Sequence, residues 1–164
     1  MDMDEIVKVG MADMQICRPP KGLTTLGLGS CVGVVLYDVN TKLSGMVHVM
    51  LPDSTQIRNN SNRAKFADTG INDMLSNMLR MGASKVSIVA KVAGGAKMFS
   101  YGSSNSELMK VGERNVAAVK NILNKLGIRI IAEDTGLNYG RTIVFDSNTG
   151  DLIIKAVGKE EKII

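Results

Sequence analysis

Two apolar segments on either side of four polar residues constrain this chain more than any other feature. CVGVVLYD (31–38) and LSGMVHVML (43–51) flank VNTK. Both segments are short and rich in β-branched residues, and a polar break bounds them, as expected for strands joined in a hairpin. A hairpin fixes which residues face one another, so its register bears directly on chemistry. A two-residue loop at Val39–Asn40 pairs Asp38 with Thr41, and a four-residue loop, Asp38 to Thr41, pairs Tyr37 with Lys42. The two loops share one centre. Followed back along the ladder, either register sets Cys31 directly opposite His48, with Cβ atoms about 4.5–5.5 Å apart. A slip of one residue, or a bulge at Gly33 or Gly45, would separate them.

His48 is the only histidine in the chain, and the cysteines are Cys17 and Cys31. A buried cysteine or histidine is commonly packing, and that reading of Cys31 and His48 stays open. If the two are in contact, an imidazolium would lower the thiol pKa and favour a thiolate able to attack acyl or amide carbon. A third polar group would hold the ring. Thr25 is a candidate, with Thr24 and Ser30 as polar alternatives. Gly29 and Ser30 precede Cys31 in GLGS, where backbone N–H groups could meet a developing oxyanion, that of Cys31 first. Gly94 and Gly95 in AGGA (93–96) could form a second wall of the same site.

The rest of the chain supplies one domain over residues 1–164. EIVKVGMADMQI (5–16) predicts one or two strands, with a turn at RPPKG (18–22). A long polar loop spans 52–63. From Ala64 to Met81 the apolar residues Ala67, Ile71, Met74, Leu75, Met78 and Leu79 recur at helical spacing, ending before Gly82. A strand over 85–96, a helix over 113–126 closed by Gly127, a strand over 128–135, and a hairpin around SNTG (147–150) complete the order. Helices mixed with strands able to pair antiparallel predict an α+β fold. The architecture is a layered α/β sandwich with a mostly antiparallel sheet and two main helices.

Composition removes several function classes. The 164 residues are 45% hydrophobic and 22% charged, a globular balance. Aromatics at 4% and scattered lysines make a nucleic-acid partner a poor match despite a net charge of +4. The eleven methionines fall mostly at apolar positions, as core filler. No apolar run suits a bilayer span, and the acidic start MDMDEIVKVG is no signal peptide, so a cytoplasmic location is expected. GLGSCVG fails as a dinucleotide fingerprint, because Val32 stands where glycine is needed and a strand follows instead of a helix. One histidine and two cysteines without paired spacing do not make a zinc site, so no metal or cofactor is expected. Cys17 reads as a strand residue and Asp53 as a turn residue. Asn62, Arg63 and Asp68 read as a helix opening, and Glu133 and Asp134 as turn or ion-pair carboxylates.

Taken together, TLGLGSCVGVVLYD, HVMLPDS, NRAKFADTG, KVAGGAKMF, VGERN and AEDTG with a following GR resemble the CheD family of chemoreceptor glutamine deamidases. Leu137 departs from the pattern, since a second glycine is expected after AEDTG. The resemblance implies hydrolysis of selected glutamine side chains on the cytoplasmic helices of methyl-accepting receptors, giving glutamate and ammonia. It implies Cys31 as nucleophile, His48 as base and acid, and Thr25 as the residue orienting His48. It also implies a CheC-type phosphatase as a partner, with Lys97 to Phe99 as candidates for that surface, and a fold like that of toxin deamidase domains. A non-catalytic adaptor binding receptor and phosphatase, a general thiol amidase, and a redox-switch thiol are the other readings these residues allow.

Overall fold

The computed structural model describes residues 5–98 and 110–164, and Phe99 lies outside them. The expected hairpin forms the centre of a sheet. Strands β4 (Val32–Asp38) and β5 (Ser44–Val49) pair antiparallel, and every residue of both is buried. Continuous burial explains their unbroken apolar character: both faces of this pair are covered. Around them lie β2 (Met14–Cys17), β6 (Ile88–Gly94) and β7 (Arg129–Thr135), in the order β2-β5-β4-β6-β7. A second sheet is ordered β1-β3-β8-β9-β10. Its strands are β1 (Ile6–Lys8), β3 (Gly22–Leu28), β8 (Arg141–Asp146), β9 (Asp151–Lys155) and β10 (Lys162–Ile163). Only β1–β3 and β6–β7 pair in parallel among the described strands, so the mostly antiparallel expectation holds.

Alternation along β4 sorts the core into two halves. Val32, Val34 and Leu36 face a helical layer, whereas Val35 and Tyr37 face the second sheet with Met46, Ile143 and Phe145. The helical layer is α1 (Ala67–Arg80) and α2 (Val111–Lys125). α1 buries Ile71, Met74, Leu75 and Met78 as its spacing predicts, while Leu79 is exposed. Residues 63–65, overlapping the start of the expected helix, form a separate 3-10 turn. Gly82, at φ +107°, terminates α1.

No element is expected over residues 23–28, beyond the turn ending at Gly22, and residues 22–28 form β3, a strand of the second sheet. Its glycines accommodate a register irregularity between Thr25 and Leu28, with Gly27 at φ +68°. The hairpin register is displaced by two residues from the expected one. Gly33, not Cys31, lies opposite His48, and Asp38 closes the turn on Leu43. The Asp38 carboxylate accepts from the Asn40 and Thr41 N–H groups, and Lys42 takes a left-handed φ of +63°. This side-chain capture enlarges the loop to Val39–Lys42. A shift of two preserves the face, so Cys31 and His48 still point the same way.

Candidate active site

Cys31 immediately precedes β4, and His48 is the penultimate residue of β5. Both lie on the face turned toward the second sheet. Cys31 is a diagonal neighbour of His48 in place of a direct one, at about 7–8 Å by the usual cross-strand spacing. Gly33 is the residue opposite His48. A Cβ there would stand 2.7 Å from the Ile143 side chain, so glycine lets the second sheet pack directly on this backbone. Cys31 is half-buried and His48 fully buried, so Cys31 is the more exposed residue of the two.

The ring is held from the opposite layer. Thr25, on β3, is buried, and its Oγ1 lies 2.7 Å from His48 Nδ1. The same hydroxyl donates to the Val9 carbonyl at 2.7 Å. Its one proton is thereby used, so Thr25 accepts from an Nδ1–H of His48. The neutral ring therefore carries its lone pair on Nε2, which has no hydrogen-bond partner among the described residues. The His48 backbone is fixed as well: its N–H donates to Asp13 and its carbonyl accepts from Ala12. Of the polar alternatives, the Thr24 hydroxyl donates to the Ile143 carbonyl instead.

Burial pushes the Cys31 thiol above its ordinary value of 9.0, opposed in part by its own backbone N–H. Burial also holds His48 below 6.5. Both shifts disfavour charge, so the resting pair is a thiol and a neutral imidazole. The expectation of an imidazolium-stabilised thiolate is not met in this state. What the arrangement offers is a free basic nitrogen on the same face of the sheet as the thiol. Cys17, by contrast, is pushed to about 11 by burial and donates to the Lys21 carbonyl.

The glycines support the Cys31 loop from behind. The Gly95 N–H donates to the Cys31 carbonyl and the Ala96 N–H to the Gly29 carbonyl, both at 2.8 Å. A Cβ on Gly94, at φ +109°, would be driven into the Cys31 carbonyl oxygen. Gly94 and Gly95 thus brace the loop that carries Cys31. The Gly29 N–H donates to the Gly27 carbonyl, which removes it as an oxyanion donor. The N–H groups of Ser30 and Cys31 take no backbone partner among the described residues.

Sequence reasoning missed Asn115 as a site residue. It is fully buried on α2, and its Nδ2 donates to the Ser30 and Met50 carbonyls at 2.9 and 3.0 Å. The only trace in the sequence is its place in VGERN. Arg141 was also unassigned. It is buried and pairs with Asp134 at 3.2 Å, which gives Asp134 an ion-pair role. Glu133 pairs with Lys120 at 2.9 Å. Asp68 anchors Ser54 through both carboxylate oxygens, and Arg63 pairs with Asp73, so these residues order the 52–63 loop and the start of α1. Asp53 accepts from Thr55 as a turn residue. Among the described residues, no cluster of three metal-ligating side chains occurs and no helix is long and apolar enough to cross a membrane.

A family model described as "CheD chemotactic sensory transduction" matches residues 50–156. A protein of Lachnoclostridium phytofermentans named "Probable chemoreceptor glutamine deamidase CheD" is 62% identical, over 99% of this chain and 100% of the relative. One from Caldanaerobacter subterraneus subsp. tengcongensis with the same name is 54% identical, over 98% of each chain. A Halalkalibacterium halodurans protein named "Chemoreceptor glutamine deamidase CheD" is 51% identical, over 99% of this chain and 100% of the relative.

Proposed function

The chain belongs to the CheD family, and from that membership and the geometry above we propose that it deamidates selected glutamine side chains of methyl-accepting chemoreceptors by thioester chemistry at Cys31. Cys31 Sγ attacks the carboxamide carbon as His48 Nε2 takes the thiol proton. The oxyanion that forms is met by the Cys31 N–H, with the Ser30 N–H beside it. His48 then gives the proton to the departing nitrogen. Ammonia leaves, and the acyl group remains on sulfur. Water attacks the thioester with His48 again as base, releasing glutamate and restoring the thiol. Thr25 keeps Nδ1 engaged throughout, so Nε2 faces the reacting atoms in both protonation states.

The observation that supports this reading most is the chain from the Val9 carbonyl through the Thr25 hydroxyl to His48 Nδ1. It leaves Nε2 bare on the face it shares with Cys31. A packing histidine would be expected to satisfy both ring nitrogens. No cofactor is invoked. A CheC-type phosphatase is the further proposed partner, at a surface containing Lys97 and Met98. Met98 is exposed and lies over Gly29, beside the Cys31 loop.

Incubation with a receptor cytoplasmic fragment, read by peptide mass spectrometry, tests the proposal. Wild-type protein is expected to convert particular glutamines to glutamates, and Cys31→Ala to convert none. Undiminished conversion by Cys31→Ala would overturn it. Binding to the fragment with no conversion by wild type would instead favour the adaptor reading.

A further inference from the structure

Resting on the thioester reading, we propose that Asn115 is a positioning residue that aims the Cys31 N–H at the developing oxyanion. Its carboxamide reaches the loop from the helical layer, on the side opposite the Cys31 side chain. Gly112 permits that approach, since a Cβ there would stand 2.5 Å from the Ala96 carbonyl oxygen and 2.6 Å from that of Gly95. The first turn of α2 therefore sits against the same glycine turn that braces Cys31.

Asn115 Nδ2 captures the Ser30 carbonyl. The carbonyl and N–H of a planar trans peptide point in opposite directions. Holding the Ser30 oxygen toward α2 turns the Cys31 N–H of that same peptide away from α2. The second Nδ2 bond goes to the carbonyl of Met50, two residues past His48. One buried amide thus ties the residue before the nucleophile to the strand that carries the base.

The cost of the arrangement argues for function over stability. Asn115 Oδ1 is buried without a hydrogen-bond partner among the described residues. A half-satisfied carboxamide in a packed interior is a poor source of folding energy. An apolar residue of similar shape would avoid that penalty, so the amide serves the two carbonyls it holds.

The test uses the full chain with Asn115→Leu, which keeps the shape, and Asn115→Ala as a second variant should the first not fold. Deamidation of a receptor cytoplasmic fragment gives kcat and KM. Iodoacetamide alkylation of Cys31 across pH reports the thiol without any oxyanion. Thermal melting reports the fold. The expected result is kcat lower by about 10²-fold, in the range for a lost oxyanion donor. KM is expected to change less than the rate, with the alkylation rate and its pH profile as in wild type. An unchanged kcat in a folded variant would overturn the proposal. So would an alkylation rate that falls in step with kcat, which would mean general loosening of the loop. Failure of the thioester reading itself would look different: Cys31→Ala would then retain activity whatever Asn115 variants do.

Discussion

Thr25 and His48 come from different sheets, yet Thr25 Oγ1 lies 2.7 Å from His48 Nδ1. The bond closes the sandwich interior at the end where Cys31 emerges, and it fixes which ring nitrogen carries the proton. A threonine hydroxyl is uncharged, so it orients the ring without raising its basicity as a carboxylate would. This fits a histidine whose pKa burial has already lowered.

Thr25→Val keeps the shape and removes the hydroxyl. It leaves the Val9 carbonyl and the Nδ1–H without their partner, so a loss of about 1–3 kcal/mol of stability is expected. Free rotation of the ring is expected to lower kcat by about 10²-fold, the low end of an acid–base contribution. Thr25→Ser should recover most of the rate. Denaturant unfolding and the deamidation assay check both, and a fully active, folded Thr25→Val would separate Thr25 from the chemistry.

Because His48 is the only histidine, its titration can be read from stability. Its pKa is lower in the folded state than the unfolded value of 6.5, so the unfolded chain binds the extra proton first. The contribution is complete above 6.5 and is lost as pH falls through the folded-state value. Carboxylates such as Asp38 and Glu133, with ordinary values of 3.8 and 4.5 shifted lower still, titrate further into acid. Melting temperature is expected to begin falling just below pH 6.5 in wild type and to stay level there in His48→Gln. Equal pH dependence in the two proteins would contradict the assignment.

Leu137 carries a φ of +60° and is 60% exposed. It occupies the position where the family pattern leads one to expect glycine, in a left-handed conformation that disfavours a Cβ. Its carbonyl accepts from the Lys97 N–H, which holds the conformation in place. Leu137→Gly is expected to raise stability by about 1 kcal/mol, with the deamidation rate unchanged. A lower unfolding midpoint would show that the exposed leucine makes a contribution larger than its strain.

The sharing of a face by Cys31 and His48 was legible in the sequence because side-chain parity survives a two-residue shift. Their direct opposition was not, because Asp38 draws the turn residues onto its own carboxylate and relocates the loop. β3 was not visible in the sequence because GLGS read as a backbone approach to substrate, while the chain uses Gly27 for a bulge and Gly29 for a close contact with Met98. The two amphipathic helices were visible from spacing and their terminal glycines. Asn115 could not be found this way. Its hydrogen bonds join residues 85 and 65 positions apart, and no local pattern encodes a contact made through packing of α2 on the sheet. The departure at Leu137 was visible in the sequence, but the left-handed backbone beneath it is seen only in the structure.

The most direct measurement is the ring ¹⁵N spectrum of His48, unambiguous because the chain has a single histidine. Near neutral pH the spectrum should show a neutral imidazole protonated at Nδ1, with an unprotonated Nε2 lone pair available to Cys31. A ring protonated at Nε2 would contradict the arrangement, since the nitrogen assigned to take the thiol proton would already be occupied.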